Sequence, residues 1–148
     1  MSTPPKESNS NSQPIRSVAR WVLAGGLGYA GTGHFINSGE FLAQVPPWLP
    51  FPEAIVAISG VVEISLAVAL LFLRNQRVAV GWVTAAFFIV IFPGNVSQLI
   101  TGTDAFGLDS DIARTVRLLF QPLLVVWALW CTGAWRAWRQ SRTNQNPG

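Results

Sequence analysis

Glu63 stands near the middle of the run Ala54–Leu73, AIVAISGVVEISLAVALLFL. About 20 such residues cross a hydrocarbon core of roughly 30 Å. A carboxylate at that depth costs at least ~2.5 kcal/mol, so it must face protein or water and have partners. Candidate partners recur along the chain. His34 ends a glycine-dense stretch; Asn95 follows a Pro-Gly pair; Arg117 and Gln121 lie four apart in a fourth apolar stretch. A carboxyl group can take up or release a proton, and an arginine or histidine can polarise a carbonyl oxygen. Together these five residues would make a ligand or proton site. A structural reading fits them too. Glu63 and Arg117 as a buried ion pair would fix helix register, and Asn95 with Gln121 would glue helices together.

The elements that carry these residues read as helices. The chain has 148 residues, 50% hydrophobic and 11% charged, with a mean hydropathy of +0.37. Soluble domains average about 25% charged residues. The composition therefore points to a membrane protein of one domain. We expect an all-α fold: an integral membrane four-helix transmembrane bundle with helices near 17–36, 54–73, 78–100 and 112–135. A Pro-rich interfacial loop joins the first two.

Residues 1–14 are polar and rich in Ser, Asn and Pro, which predicts a disordered tail. Arg16 and Arg20 before an apolar run resemble the start of a signal peptide. No A-x-A site follows and the run continues to Ile36, so a retained helix is expected. Gly25, Gly26, Gly28, Gly31 and Gly33 would let a neighbour approach closely. Asn37–Pro52 holds four prolines, which forbid a regular helix there. Its Phe41, Trp48 and Phe51 suit a stiff interfacial cap. Pro93 and Pro122 predict bends in the third and fourth helices. The membrane domain is expected over 15–138, with a basic tail at 139–148.

Lys6, Arg16 and Arg20 precede the first helix; Arg74 and Arg77 join the second and third; Arg136, Arg139 and Arg142 follow the fourth. The other two loops carry only acidic charges. The positive-inside rule then places both termini in the cytoplasm. At ~1.5 Å per residue, Glu63 lies ~14 Å from the outer end of its helix and Arg117 ~8 Å from its own. All five candidates fall in the outer half, where the long arginine could reach the carboxylate and a single hydrogen-bonded cluster is expected.

The net charge of +3 does not predict nucleic-acid binding, because the basic residues flank apolar runs. A lone His and a lone intramembrane Glu make no metal set. The lone Cys131 allows no internal disulfide and reads as packing. No P-loop, GxSxG or dinucleotide fingerprint occurs.

Five motifs in order, GTGHF (31–35), VPPWLP (45–50), SGVVEI (59–64), FPGN (92–95) and RLLFQ (117–121), resemble the DoxX-like family of small bacterial membrane proteins. The resemblance spans about 28–129. It implies a four-helix bundle in the bacterial cytoplasmic membrane and a link to quinone-dependent or other membrane redox chemistry. His34, Glu63, Asn95, Arg117 and Gln121 carry over as motif residues, none of them as catalytic. The expected role is a subunit or accessory protein with an outward polar pocket for a small ligand or a quinone headgroup. No cofactor is expected in the chain itself, so electrons would come from an oxidoreductase partner. Self-association is a further expectation. The alternatives are a small-solute transporter or channel component, or a non-catalytic assembly factor.

Overall fold

The computed structural model describes residues 12–144. Most of the tail expected at 1–14 lies outside them, but Ser12, Gln13 and Pro14 already belong to the first helix. In chain order the elements are α1 (Ser12–Ile36), α2 (Ser38–Leu42), α3 (Pro52–Phe72), α4 (Arg77–Thr101), α5 (Asp111–Thr132) and α6 (Ala134–Asn144). A single 3₁₀ turn, Arg74–Gln76, leads into α4. No strand occurs among the described residues.

Three stretches are long and apolar enough to cross a membrane: Pro52–Phe72, Arg74–Thr101 and Asp111–Thr132, with mean hydropathies of 2.5, 1.8 and 1.5. These match the second, third and fourth expected helices to within a few residues. With 25 residues, α1 has the length, but its glycines, Arg16 and Arg20 dilute its hydropathy.

Local chemistry sets the ends. Pro52 opens α3 at its first turn, where a missing N–H costs nothing, and Phe51 before it takes the left-handed conformation. Ser110 caps α5 by accepting from the Ala113 N–H. α4 continues through Pro93 to Thr101. α5 stops at Gly133, whose φ of +78° suits the residue after a helix. That break corrects the expected end of the fourth helix. The fourth helix ends short of Trp135, and Arg139–Asn144 of the expected tail are helical. In α6 the Trp135 and Trp138 rings sit 5.4 Å apart, and the Arg142 guanidinium lies 4.6 Å from the Trp138 ring centre.

The long helices pack chiefly as two pairs, α1 on α3 and α4 on α5. Each pair crosses at a glycine. A Cβ on Gly31 would lie 2.8 Å from the Gly60 carbonyl oxygen, and one on Gly81 would lie 2.0 Å from Thr132 Oγ1. Lipid gives helices no hydrophobic reason to associate, so close backbone contact supplies the attraction. The apolar core gathers toward the end where α1 begins, with Leu23, Leu27, Leu70, Val80 and Phe88 buried.

Candidate functional site

At the Gly31–Gly60 crossing the antiparallel helices α1 and α3 place His34 against Gly60 and Glu63 against Gly31. His34 Nδ1 lies 3.3 Å from Glu63 Oε2 and 2.9 Å from the Ala30 carbonyl oxygen. Both side chains are buried, with 8% of each exposed. A neutral imidazole that donates its Nδ1–H to Ala30 leaves Nε2 as an acceptor. Glu63 Oε2 then has no hydrogen-bond donor. Phe41 of α2 stacks on the imidazole with ring centres 3.7 Å apart.

The second pair of helices supplies the amides. Asn95 Nδ2 donates to Gln121 Oε1 at 2.8 Å, and Gln121 Nε2 donates to the Phe88 carbonyl at 2.8 Å. Arg117 donates to Gln98 Oε1 at 3.1 Å and to Gln44 Oε1 in the Pro-rich segment. The Phe106 ring lies 5.2 Å from its guanidinium carbon. No carboxylate pairs with Arg117 among the described residues.

Of these residues, His34, Phe41, Gln44, Glu63, Asn95, Arg117 and Gln121 line one cavity of about 800 Å³ between the helix pairs. All five candidate residues border it, but they do not form one cluster. The expected Glu63–Arg117 pair is corrected: Glu63 meets His34, and Arg117 meets two neutral amides. Arg114, on the same helical stripe, bonds Asp104 and Asp111 instead and organises the acidic loop.

Most of the cavity wall is apolar, from Leu23, Leu27, Phe88, Ile91, Leu124 and Trp127. Val45, Pro46, Trp48 and Leu49 close the end beside Gln44. The Pro-rich segment is held there by contacts to other elements. Glu40 Oε2 accepts from the Phe106 N–H, and a Cβ on Gly94 would lie 3.4 Å from the Gln44 carbonyl. Between α1 and α5 the wall is thin. Val22 and Phe120 line the cavity yet are 54% and 50% exposed, and a Cβ on Gly26 would meet nothing within 4 Å. The cavity thus opens sideways, toward the face a bilayer would cover.

Sequence reasoning did not find Gln44, Phe41 or Phe106 as site residues. Gln44 is a lone amide in the apolar run FLAQVPPW, and that was its one visible signal. Gln98 stands three residues after Asn95, on the same helix face.

The domain family described as "Domain of unknown function (DUF8561)" matches residues 23–132. The chain belongs to that family. The matched segment holds all five candidate residues and the two glycine crossings at Gly31–Gly60 and Gly81–Thr132. Arg16, Arg20 and α6 lie outside it. No curated protein and no solved structure matches the chain.

Proposed function

We propose that this protein is a four-helix transmembrane bundle of DoxX-like type that binds a lipophilic carbonyl ligand, such as a quinone, as an accessory subunit of membrane redox chemistry. α1 joins the three apolar helices as the fourth span. The Lys/Arg bias supports both termini inside, and the DoxX-like resemblance supports a bacterial cytoplasmic membrane. The Pro-rich segment then caps the outer mouth, with Trp48 at the interface.

The observation that carries this reading is the separation of Glu63 from Arg117 in one apolar cavity of about 800 Å³. Ligand pockets are commonly 300–1,000 Å³, mainly apolar, with a few convergent polar groups. An ion pair would have consumed both charges. Instead Arg117 has donors to offer a carbonyl oxygen, and Glu63 has an oxygen without a donor. His34, braced by Phe41, packs beside the carboxyl. The apolar wall toward α1 and α5 suits a hydrocarbon tail, and the thin wall at Val22 and Phe120 suits entry from lipid. In this role Arg117 orients the headgroup and Glu63 holds a proton. The chain has no motif for carrying a redox cofactor, so electrons come from a partner oxidoreductase.

Gentle detergent extraction followed by mass spectrometry of what co-purifies tests the reading. A quinone at near-stoichiometric level, lost in Arg117→Gln, is the expected result. Absence of any lipophilic carbonyl compound, together with solute flux in vesicles, would favour a transporter instead.

A further inference from the structure

The other end of the molecule carries a second unsatisfied group of charges. Arg20 is buried, with 7% exposed, and its Nε has no hydrogen-bond partner. One turn earlier, Arg16 has Nε and Nη1 both buried and unpartnered. Its guanidinium lies 5.5 Å from the Trp130 ring centre, and Nη1 lies 3.7 Å from where a Cβ on Gly133 would be. α4 and α6 pack together at this end, bringing in Arg77 and Arg136.

Among the described residues no carboxylate pairs with these arginines. Apart from Glu63, the acidic side chains there all lie in the segments 37–53 and 101–111, or at the adjoining helix starts. The N-terminal ends of α4 and α6 meet the C-terminal ends of α3 and α5 here, so the helix dipoles oppose one another and the arginines supply the net charge. A buried guanidinium without an acceptor is costly, so an anion is called for.

The same place has an apolar groove. Ile15, Val18 and Ala19 of α1 and Leu123, Val126 and Trp130 of α5 line a recess of about 700 Å³. Trp130 is shared: one ring is both groove wall and platform for Arg16. Trp127 separates this groove from the main cavity and ties α5 to α1 by donating to the Ala19 carbonyl at 3.0 Å.

We propose that this end binds one anionic phospholipid, its phosphate on Arg16 and Arg20 and an acyl chain in the α1–α5 groove. Charge and shape agree on that occupant. Guanidinium donors match phosphate oxygens, and basic pockets between membrane helices recognise anionic headgroups. A free phosphate would use the arginines and leave the groove empty.

The test uses full-length protein, delipidated in mild detergent and then mixed with phosphatidylglycerol or phosphatidylcholine. Native mass spectrometry reads the bound lipid, and thermal unfolding reads the stabilisation. One phosphatidylglycerol should bind, preferred over phosphatidylcholine by about tenfold or more, because phosphatidylcholine brings the same phosphate together with a choline cation that the arginines repel. Arg16→Gln should abolish the preference. Val126→Trp, which fills the groove but leaves the arginines, should weaken lipid binding without altering folding. Inorganic phosphate that stabilises the protein as well as the lipid does, with Val126→Trp unaffected, would overturn the lipid assignment. Equal binding of both lipids would overturn it too. So would a lipid-free protein destabilised by Glu7→Gln, which would make Glu7 the counter-ion.

Discussion

His34 Nδ1 lies 3.3 Å from Glu63 Oε2, across the point where α1 and α3 touch through Gly31 and Gly60. The contact exists because glycines let the two helices approach closely there. Position of the chemistry and packing of the fold are therefore the same feature.

Gly31→Ala and Gly60→Ala should each destabilise the protein by about 1–3 kcal/mol, the cost of overpacking a tight site. Gly25→Ala, whose Cβ would meet nothing within 4 Å, should leave thermal unfolding in detergent unchanged or slightly raised. Equal effects at Gly25 and Gly31 would show that the crossing does not hold the pair together.

A double-mutant cycle distinguishes the two partners that Glu63 could have had. His34→Ala with Glu63→Gln should show coupling of about 0.5–3 kcal/mol, as for residues in contact. Arg117→Met with Glu63→Gln should be additive to within about 0.5 kcal/mol. Strong coupling in the second cycle would restore the direct ion pair.

The sequence alone led to that ion pair, and the reason for the error is physical. Counting residues from a helix end gives depth along the bundle and nothing about which way a side chain faces across it. Glu63 and Arg117 have similar depths, but α3 packs on α1 and α5 on α4, leaving a cavity between them. Depth was enough to gather five polar residues at one end and to place the three apolar spans. It could not find Gln44, because that residue sits in a proline-broken segment with no helical period to follow. Gly133 went unread as a helix stop because apolar residues continue on either side of it.

Gln121 makes both of its bonds through one amide, to Asn95 and to the Phe88 carbonyl. Gln121→Leu should cost about 1–3 kcal/mol by stranding a buried donor. Asn95→Leu added to it should cost less than the two single changes summed. Full additivity in urea or thermal unfolding would mean the amides act separately.

The proposed orientation makes a labelling pattern. Single cysteines at Ser38 and Ser110, in a Cys131→Ala background, should react with an impermeant thiol reagent in intact cells, and one at Asn75 should not. The opposite pattern would invert the molecule and place the capped mouth of the cavity inside.

The cavity itself offers the most direct measurement. Trp48 and Trp127 both line it, so a bound quinone should quench their fluorescence. Titrating the detergent-solubilised protein with a short-chain quinone should give saturable quenching. Arg117→Gln should weaken it about tenfold or more, the equivalent of one lost charged hydrogen bond. Gly26→Leu, which projects into open space in the same cavity, should abolish saturation while thermal unfolding stays unchanged. Quenching that rises linearly with quinone, and does so equally in Gly26→Leu, would mean that the ligand only partitions into detergent and that the cavity is not its site.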